Sequence, residues 1–296
     1  MTSAQVSTYS HDDRGRTWRD VLEETTAALG SAREARWLVE EAAGLSGSDL
    51  VLGGSVTARC GAYLSQMVDR RLAGEPLQYV LGRWGFRSLD LFVDRRVLIP
   101  RPETEQVVEW AFAELAKVLT CRPPRHRPLV ADLGTGSGAI ALSMASETDA
   151  EVWATDASPD ALDVARANLA GIGTFAATRV RMVSGSWWDA LPEALRGRLD
   201  LVVSNPPYVG AGEDLPHEVA GYEPVVALRS GPDGLDAIRV ILGSAGEWLA
   251  PSGVVVIEMA PSQVASVRAL ALDGGARYVE VRSDLTGRDR AVVARW

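Results

Sequence analysis

The chain has 296 residues, 47% of them hydrophobic, which is longer than a typical single domain and enough for a sizeable core. Its formal net charge of −9 is uneven, since residues 1–100 carry 12 basic and 13 acidic side chains and residues 101–296 carry 18 and 26. A protein that works on nucleic acid normally shows a basic stripe. This balance therefore argues against DNA or RNA as the principal substrate.

No feature of the sequence indicates a membrane, a disulfide framework or a metal site. Residues 1–16 are polar and no later apolar run reaches the length of a membrane span, so we expect a cytoplasmic protein without membrane contact. Cys60 and Cys121 are the only cysteines, too few for a disulfide framework. They also lack partners at metal-ligand spacing, so we expect no metal.

The first 75 residues are predicted to form a small helical bundle. Apolar residues recur at helical spacing over residues 17–29, and Ser31 with Glu34 matches a capping box that opens a second helix. A third helix is predicted over residues 57–73. We interpret this bundle as a separate domain that recognises the substrate.

A β-hairpin connector is predicted over residues 76–100, where short stretches alternate between apolar and polar side chains. A helix follows over residues 103–119, because prolines precede it and early acidic residues suit its dipole. Beyond it the chain alternates predicted strands and helices. The strands are predicted near residues 129–131, 151–155, 180–183, 199–204, 253–258, 278–282 and 291–295.

A glycine-rich turn joins the first of these strands to a helix. Glycines at alternate positions let the backbone approach a ligand, and the helix N-terminus offers free N–H groups to an anion. A dinucleotide fingerprint places its third glycine three positions after the second, whereas Gly138 comes two after Gly136. This spacing favours S-adenosylmethionine over NAD. The candidate cofactor-binding residues of the turn are Gly134, Thr135, Gly136, Ser137 and Gly138.

Further positions are candidates for binding the nucleoside part of the cofactor. Asp156 ends the second of these strands, 18 residues beyond Gly138, where a carboxylate can accept from both ribose hydroxyls. Its alternative role is a helix N-cap, but Ser158 is the better cap candidate. Trp187 and Trp188 follow the third strand, where an aromatic ring could cover the adenine, and sequence spacing does not choose between them.

The four residues Asn205-Pro206-Pro207-Tyr208 directly follow the apolar run at 199–204. Two prolines cannot continue a sheet, so the chain turns out at the strand's carboxyl end, where α/β proteins bind ligands. Pro207 fixes the direction of the Pro206 carbonyl, and two converging acceptors, this carbonyl and the Asn205 side chain, suit an NH2 group. Tyr208 adds an aromatic wall. The motif predicts methylation of an amide or amine nitrogen; a proline-terminated strand with a capping asparagine is the alternative.

Other motifs stand in order along the chain. They are Arg-Arg-Leu-Ala-Gly-Glu-Pro-Leu-Gln-Tyr at 70–79, Val-Leu-Ile-Pro-Arg-Pro-Glu-Thr-Glu at 97–105, Tyr-Glu-Pro at 222–224, Gly-Pro-Asp-Gly-Leu at 231–235 and Asp-Leu-Thr-Gly-Arg-Asp-Arg at 284–290. Together with the glycine turn and the motif at 205–208, this set resembles the HemK-type glutamine methyltransferases. That bacterial family methylates the side-chain amide of the glutamine in the Gly-Gly-Gln loop of peptide chain release factors. The likeness covers most of the chain.

The resemblance implies an α/β fold. It implies a Rossmann-like, seven-stranded S-adenosylmethionine-dependent methyltransferase domain over residues 101–296, preceded by the helical bundle at 1–75 and the connector at 76–100. Release factors would be the protein substrates, with no stable binding of nucleic acid.

The resemblance also implies roles for individual residues. The glycine turn, Asp156, Trp187 and Asn205 would bind the cofactor. The target glutamine would be held by Asn205, Pro206, Pro207 and Tyr208, of which Asn205, Pro206 and Tyr208 would be catalytic.

Three alternatives remain open from the sequence. A ribosomal-protein glutamine methyltransferase would share the catalytic residues and differ in its recognition domain. A methyltransferase for the exocyclic amine of adenine in DNA or RNA shares the Asn-Pro-Pro-Tyr motif but would need a basic recognition region. A non-catalytic module would bind the cofactor without consuming it.

Overall fold

The computed structural model describes residues 16–52 and 54–296. The predicted helical domain begins at residue 1, so its first 15 residues lie outside the described part of the chain. Two compact units are present. One contains the described residues up to Gly82 together with Pro216–Tyr222, and the other contains Arg83–Leu215 with Glu223–Trp296. The domain boundaries at residues 75 and 100 stay a prediction.

An all-helical start precedes an alternation of strands and helices, and the predicted elements are present with ends shifted by a few residues. The helices are α1 (Trp18–Leu29), α2 (Ala32–Ala43), α3 (Ser48–Leu52), α4 (Ala58–Leu72), α5 (Leu77–Leu81), α6 (Pro102–Thr120), α7 (Ala139–Glu147), α8 (Pro159–Gly171), α9 (Thr174–Ala177), α10 (His217–Tyr222), α11 (Asp236–Trp248) and α12 (Val264–Asp273). The strands are β1 (Arg83–Phe86), β2 (Leu89–Phe92), β3 (Leu129–Leu133), β4 (Glu151–Asp156), β5 (Val180–Ser184), β6 (Leu199–Ser204), β7 (Leu249–Glu258), β8 (Tyr278–Ser283) and β9 (Asp289–Arg295).

Side-chain caps and apolar faces define the helices of the first unit. Thr17 and Asp20 form a reciprocal capping box at the start of α1, which satisfies backbone N–H groups that have no partner within the helix. The buried faces of the helices share one apolar core. Its fully covered members include Leu38, Val39, Leu64, Met67 and Val68.

The capping box predicted at Ser31 forms only in part. The Ser31 hydroxyl accepts from the backbone N–H of Glu34, as expected. The carboxylate of Glu34 does not return to the helix start, because it pairs with Arg71 at 2.7 Å. Arg71 also binds Glu218 of α10 at 2.8 Å, so this arginine links three helices of the same unit. A charge-assisted tertiary pair has replaced the local contact.

A short antiparallel hairpin, β1 with β2, occupies part of the predicted connector. The residues immediately before it form α5 instead of extended chain, because Pro76 opens a helical turn that Gly82 ends in the left-handed region. Asn168 of α8 binds the hairpin through its side chain. Its amide oxygen accepts from the N–H of Phe92 at 2.7 Å, and its NH2 donates to the Phe92 carbonyl.

The main sheet has seven strands in the order β5-β4-β3-β6-β7-β9-β8. All neighbours are parallel except β9, which runs antiparallel to β7 and β8. The strand order reverses between β3 and β6. A parallel sheet leaves a crevice at such a reversal, outside the carboxyl ends of its strands.

The central strands are rich in valine and alanine and are buried on both faces. Val130, Val202 and Val255 have no exposed side-chain surface, as expected for strands covered by helices on each side. None of the described helices is both long and apolar enough to span a membrane.

Candidate active site

A cleft of the larger unit opens at the carboxyl ends of β3, β4, β5 and β6. The empty space in it amounts to about 1030 Å³, open solvent at its mouth included. Its walls come from the two motifs predicted to bind ligands and from the segment before α6. The lining residues used below are Thr104, Gly134, Thr135, Gly136, Ser137, Asp156, Trp187, Asn205 and Pro207.

The glycine turn forms one wall of the cleft with its backbone. Gly134, Gly136 and Gly138 all have positive φ, which L-residues with side chains rarely adopt. A Cβ on Gly134 would lie 3.2 Å from the Trp187 ring, and one on Gly138 would lie 3.1 Å from Leu142. Glycine is thus favoured at all three positions by the backbone conformation, and at Gly134 and Gly138 also by the limited space.

Asp132, in β3, anchors the glycine turn through hydrogen bonds. Its Oδ2 accepts from the Thr135 hydroxyl at 2.6 Å and from the Ala141 N–H at 3.0 Å, tying the end of β3 to the first turn of α7. The residue is fully buried, and its Oδ1 is a buried oxygen with no hydrogen-bond partner among the described residues. Burial raises the pKa of Asp132 to about 7, against the two hydrogen bonds that lower it.

Asp156 stands at the end of β4 with its carboxylate at the cleft wall. Its oxygens accept from the backbone N–H groups of Gly136, at 2.9 Å, and Ser158, at 2.8 Å. Burial raises the pKa of Asp156, and these two bonds oppose the shift. Ser158 itself caps α8 through the N–H of Ala161, which confirms the prediction that Asp156 is not the side-chain cap of that helix. Lone pairs of Asp156 remain for a ligand.

The two tryptophans that sequence spacing could not separate have different environments. Trp187 is partly buried, lines the cleft and has a positive φ of 45°. Trp188 belongs to the core, where its ring stacks on Trp248 with 5.6 Å between centroids and its Nε1 donates to backbone carbonyls of α11. Trp187 is therefore the ring available to a ligand.

The Asn205-Pro206-Pro207-Tyr208 segment forms another part of the wall, where Asn205 and Pro207 line the cleft. Pro206 is buried, and neither Pro206 nor Tyr208 belongs to the described residues that line the cleft. The side-chain nitrogen of Asn205 donates to the hydroxyl of Thr104 at 3.1 Å. Thr104 in turn donates to Oε2 of Glu258 at 2.7 Å. Within the described part of the chain, neither Oδ1 of Asn205 nor the Pro206 carbonyl accepts a hydrogen bond. Because Asn205 lines the cleft, its Oδ1 is available to a substrate.

A buried carboxylate lies behind this wall. Glu258, at the end of β7, is 1% exposed, and burial raises its pKa to about 7. Its Oε1 accepts from the Tyr208 hydroxyl at 3.5 Å. Burial, with the nearby charge of Glu258, raises the pKa of Tyr208 well above its usual value. Tyr208 therefore stays protonated at physiological pH.

The backbone carbonyl of Tyr208 is contacted by Gln263 and by Gly234 of the Gly-Pro-Asp-Gly motif. Gln263 donates from its side-chain nitrogen to the carbonyls of Tyr208, at 2.9 Å, and Asp233, at 3.2 Å. Gly234 has a φ of 77° and lies against the Tyr208 carbonyl so closely that a Cβ would overlap its oxygen. This close approach explains why the motif has glycine at this position.

Three of these contributors were missed as functional residues by the sequence reasoning. Thr104 falls within the motif at 97–105 and Glu258 ends the strand predicted at 253–258, but neither was assigned a role, and Gln263 was not singled out. The partners named above are 30 to 154 residues away, so no local spacing signals them. Among the described residues, no group of three or more His, Cys, Asp and Glu side chains could hold a metal ion.

Two family models match the chain. "Methyltransferase small domain" matches residues 112–220, and "PrmC N-terminal domain" matches residues 20–82. Among solved structures, the hMettl16 catalytic domain in complex with MAT2A 3'UTR hairpin 6 has a TM-score of 0.54 at 13% identity, over 80% of this chain and 81% of that one. A human methyltransferase 10 domain containing protein has a TM-score of 0.50 at 16% identity, over 70% and 87%. These likenesses show the fold alone, and with the matched domain they define a methyltransferase.

Proteins similar in sequence show which kind of methyltransferase this chain resembles. The release factor glutamine methyltransferase of Mycolicibacterium smegmatis is 38% identical over 93% of this chain and 96% of the relative. That of Bordetella pertussis is 42% identical over 91% of this chain and 97% of the relative. The chain belongs to the family of release factor glutamine methyltransferases.

The cleft fits S-adenosylmethionine, the methyl donor of this class of enzyme. Asp156 offers a carboxylate for ribose hydroxyls, and the ring of Trp187 offers a flat surface for a base. The start of α7 after Gly138 suits a carboxylate, because helix N-termini present unpaired N–H groups. The three chemistries that the donor requires are thus present in one cleft.

Proposed function

We propose that this protein transfers a methyl group from S-adenosylmethionine to the side-chain amide nitrogen of the glutamine in the Gly-Gly-Gln motif of peptide chain release factors. The observation that carries the proposal is the Asn205 side chain on the wall of the cleft, whose Oδ1 accepts no hydrogen bond from the described residues, in a chain that belongs to this family. The protein substrate and the cytoplasm, where translation takes place, follow from that activity.

The cofactor half of the cleft binds and orients the donor. When bound, S-adenosylmethionine supplies an electrophilic methyl group on a sulfonium. The backbone of Gly134–Gly138 allows close approach, Asp156 accepts from hydroxyls, and Trp187 covers a planar base. Asn205 stands where it can contact both the donor and the substrate.

The substrate part of the cleft must activate a weak nucleophile, because the lone pair of an amide nitrogen is delocalised into its carbonyl. Asn205 Oδ1 and the Pro206 carbonyl each accept one of the two amide N–H groups, which holds the nitrogen in place and favours the positive charge that develops on it. In the best-oriented reactions, positioning lowers the barrier by as much as about 7–11 kcal/mol.

Proton removal needs no strong base, because a methylated amide nitrogen is very acidic until it loses a proton. Tyr208 serves as the aromatic wall that orients the amide plane. Its raised pKa argues against a role as proton acceptor, because a tyrosinate would be required for that. The catalytic residues are then Asn205, Pro206 and Tyr208, and Pro207 contributes to binding.

The experiment is transfer of labelled methyl from S-adenosylmethionine to a full-length release factor. Its controls are the factor with Gln→Ala in the Gly-Gly-Gln loop, a duplex DNA and ribosomal protein. We expect label on the parent factor alone. Label on DNA or on ribosomal protein, with none on the factor, would contradict the proposed substrate and favour one of the other methyltransferase classes.

A further inference from the structure

The side chain of Asn205 is held from behind by residues that do not belong to its motif. Asn205 follows β6, Thr104 lies in the first turn of α6, and Glu258 ends β7. Thr104 is 4% exposed and Glu258 is 1% exposed, so water does not compete for their hydrogen bonds. The chain of bonds runs from Asn205 Nδ2 to Thr104 Oγ1, at 3.1 Å, and on to Glu258 Oε2, at 2.7 Å.

The chemistry of the three groups fixes the direction of each bond. Above about pH 7, where Glu258 is ionised, its carboxylate only accepts, so the hydroxyl hydrogen of Thr104 is committed to Glu258. The Thr104 oxygen then has only lone pairs for Asn205, and only the NH2 end of the carboxamide can satisfy them. A flipped carboxamide would set its oxygen against the Thr104 lone pairs. Asn205 Oδ1 is thereby directed away from Thr104.

The surroundings of Glu258 set the pH at which this polarity holds. Burial raises the pKa of Glu258 to about 7, and the hydrogen bond from Thr104 and the charge of Arg290 of β9 oppose the shift. Oε1 of Glu258 receives the Tyr208 hydroxyl at 3.5 Å. The Glu258 carboxylate therefore accepts one hydrogen bond from Thr104, which in turn binds Asn205, and one directly from Tyr208.

We propose that Thr104 and Glu258 are positioning residues that hold the Asn205 carboxamide with Oδ1 as the acceptor for the substrate amide. This inference rests on the proposed function for its meaning in catalysis. Its geometric content, the orientation of one side chain, does not depend on which molecule is methylated.

The geometric test uses the side-chain NH2 signals of Asn205 in ¹⁵N-labelled protein, assigned by their loss in Asn205→Ala. In the parent protein we expect these protons to show slowed exchange and the shift of a hydrogen-bonded amide. Thr104→Ser keeps the hydroxyl and should keep both properties. Thr104→Val has a similar shape without a hydroxyl and should lose them. Signals of a free amide in the parent, or unchanged signals in Thr104→Val, would overturn the proposal.

The catalytic test separates turnover from binding. Thr104→Val should lower kcat about tenfold, the usual effect of one hydrogen bond, with little change in the KM for the release factor. Thr104→Ser should restore most of the loss. A merely structural role for Thr104 would instead lower the unfolding midpoint in parallel with activity in both variants.

A double-mutant cycle shows whether Thr104 acts through Asn205. In an Asn205→Ala background, Thr104→Val should cause no further loss of kcat, because the group that it positions is gone. Additive losses would overturn the proposal. If the parent transfers no methyl to a release factor, the proposed function fails, while the Asn205 signals still decide the orientation of the carboxamide.

Discussion

The two walls of the cleft are built from contacts of very different range. The cofactor wall is formed by the glycine turn and Asp156. Asp132 binds Thr135 and Ala141 there, and Asp156 binds Gly136 and Ser158, so all these partners are within 20 residues along the chain. The substrate wall is formed by the segment at 205–208. The hydrogen-bond partners of its side chains come from distant elements.

The bond from Asn205 to Thr104 joins residues 101 apart, and the bond from Thr104 to Glu258 joins residues 154 apart. The first wall is thus set largely by a strand, a turn and a helix start. The second forms only when the sheet has brought β6, β7 and α6 together. We therefore expect changes in the two walls to affect different measurements.

The sharpest comparison is between Trp187, on the cofactor wall, and its neighbour Trp188, in the core. Trp188→Ala should lower the free energy of unfolding by about 3–5 kcal/mol, because it removes a buried ring stacked on Trp248. Trp187→Ala should cost less stability and raise the dissociation constant for the cofactor, since its ring lines the cleft. Denaturant unfolding and calorimetric titration measure the two effects. Equal cofactor affinity in Trp187→Ala and the parent would remove Trp187 from the cofactor site.

The substrate wall is tested by Asn205→Ala. We expect kcat to fall by about two to three orders of magnitude, because an acceptor for the reacting amide is lost. Cofactor binding should weaken and remain measurable, since the glycine turn and Asp156 are untouched. Single-turnover transfer and titration with the cofactor separate the effects. Activity equal to the parent would contradict the assignment of Asn205.

The buried carboxylate of the substrate wall should affect stability as a function of pH. The pKa of Glu258 is raised from 4.5 to about 7, so between these values the folded protein keeps a proton that the unfolded chain has lost. The free energy of unfolding should therefore fall as pH rises through this window, by an amount on the order of 3 kcal/mol for this group.

Glu258→Gln isolates this contribution, because glutamine does not ionise. The stability of the parent relative to Glu258→Gln should decrease from pH 4.5 to pH 7 and be constant above it. Denaturation curves across this range give the difference. Parallel stabilities of the two proteins at every pH would show that Glu258 does not titrate in this window.

The backbone support of Tyr208 gives the smallest expected effect. Gly234→Ala should cost about 2 kcal/mol or more, because it places a Cβ at positive φ and against the Tyr208 carbonyl. The matched control is Gly212→Ala, where nothing lies within 4 Å of the added atom. Thermal unfolding of both variants measures the difference. A loss in Gly212→Ala as large as in Gly234→Ala would contradict the role of the close approach.

Local patterns predicted most of the fold, since helices and strands follow from periodicity and caps such as Ser158 act within one turn. They were less informative where a tertiary partner competes. Glu34 pairs with Arg71 instead of completing its capping box, because the guanidinium of α4 offers it a charged partner.

The two walls of the cleft differ in the same way. The glycine turn between a strand and a helix could be predicted, because the glycine spacing and the flanking apolar runs are local. The environments of Trp187 and Trp188 could not be distinguished, because burial depends on α11, some 50 residues further along. Thr104 and Glu258 could not be assigned roles, because a hydrogen bond between residues 154 apart leaves no spacing to recognise.

The most direct test of the whole account is to locate the transferred methyl group. After reaction with a full-length release factor, peptide fragmentation should place one added methyl on the glutamine side chain of the Gly-Gly-Gln motif, and Asn205→Ala should give almost none. A methyl group on a different residue, or the same yield from Asn205→Ala, would contradict the account of the substrate wall.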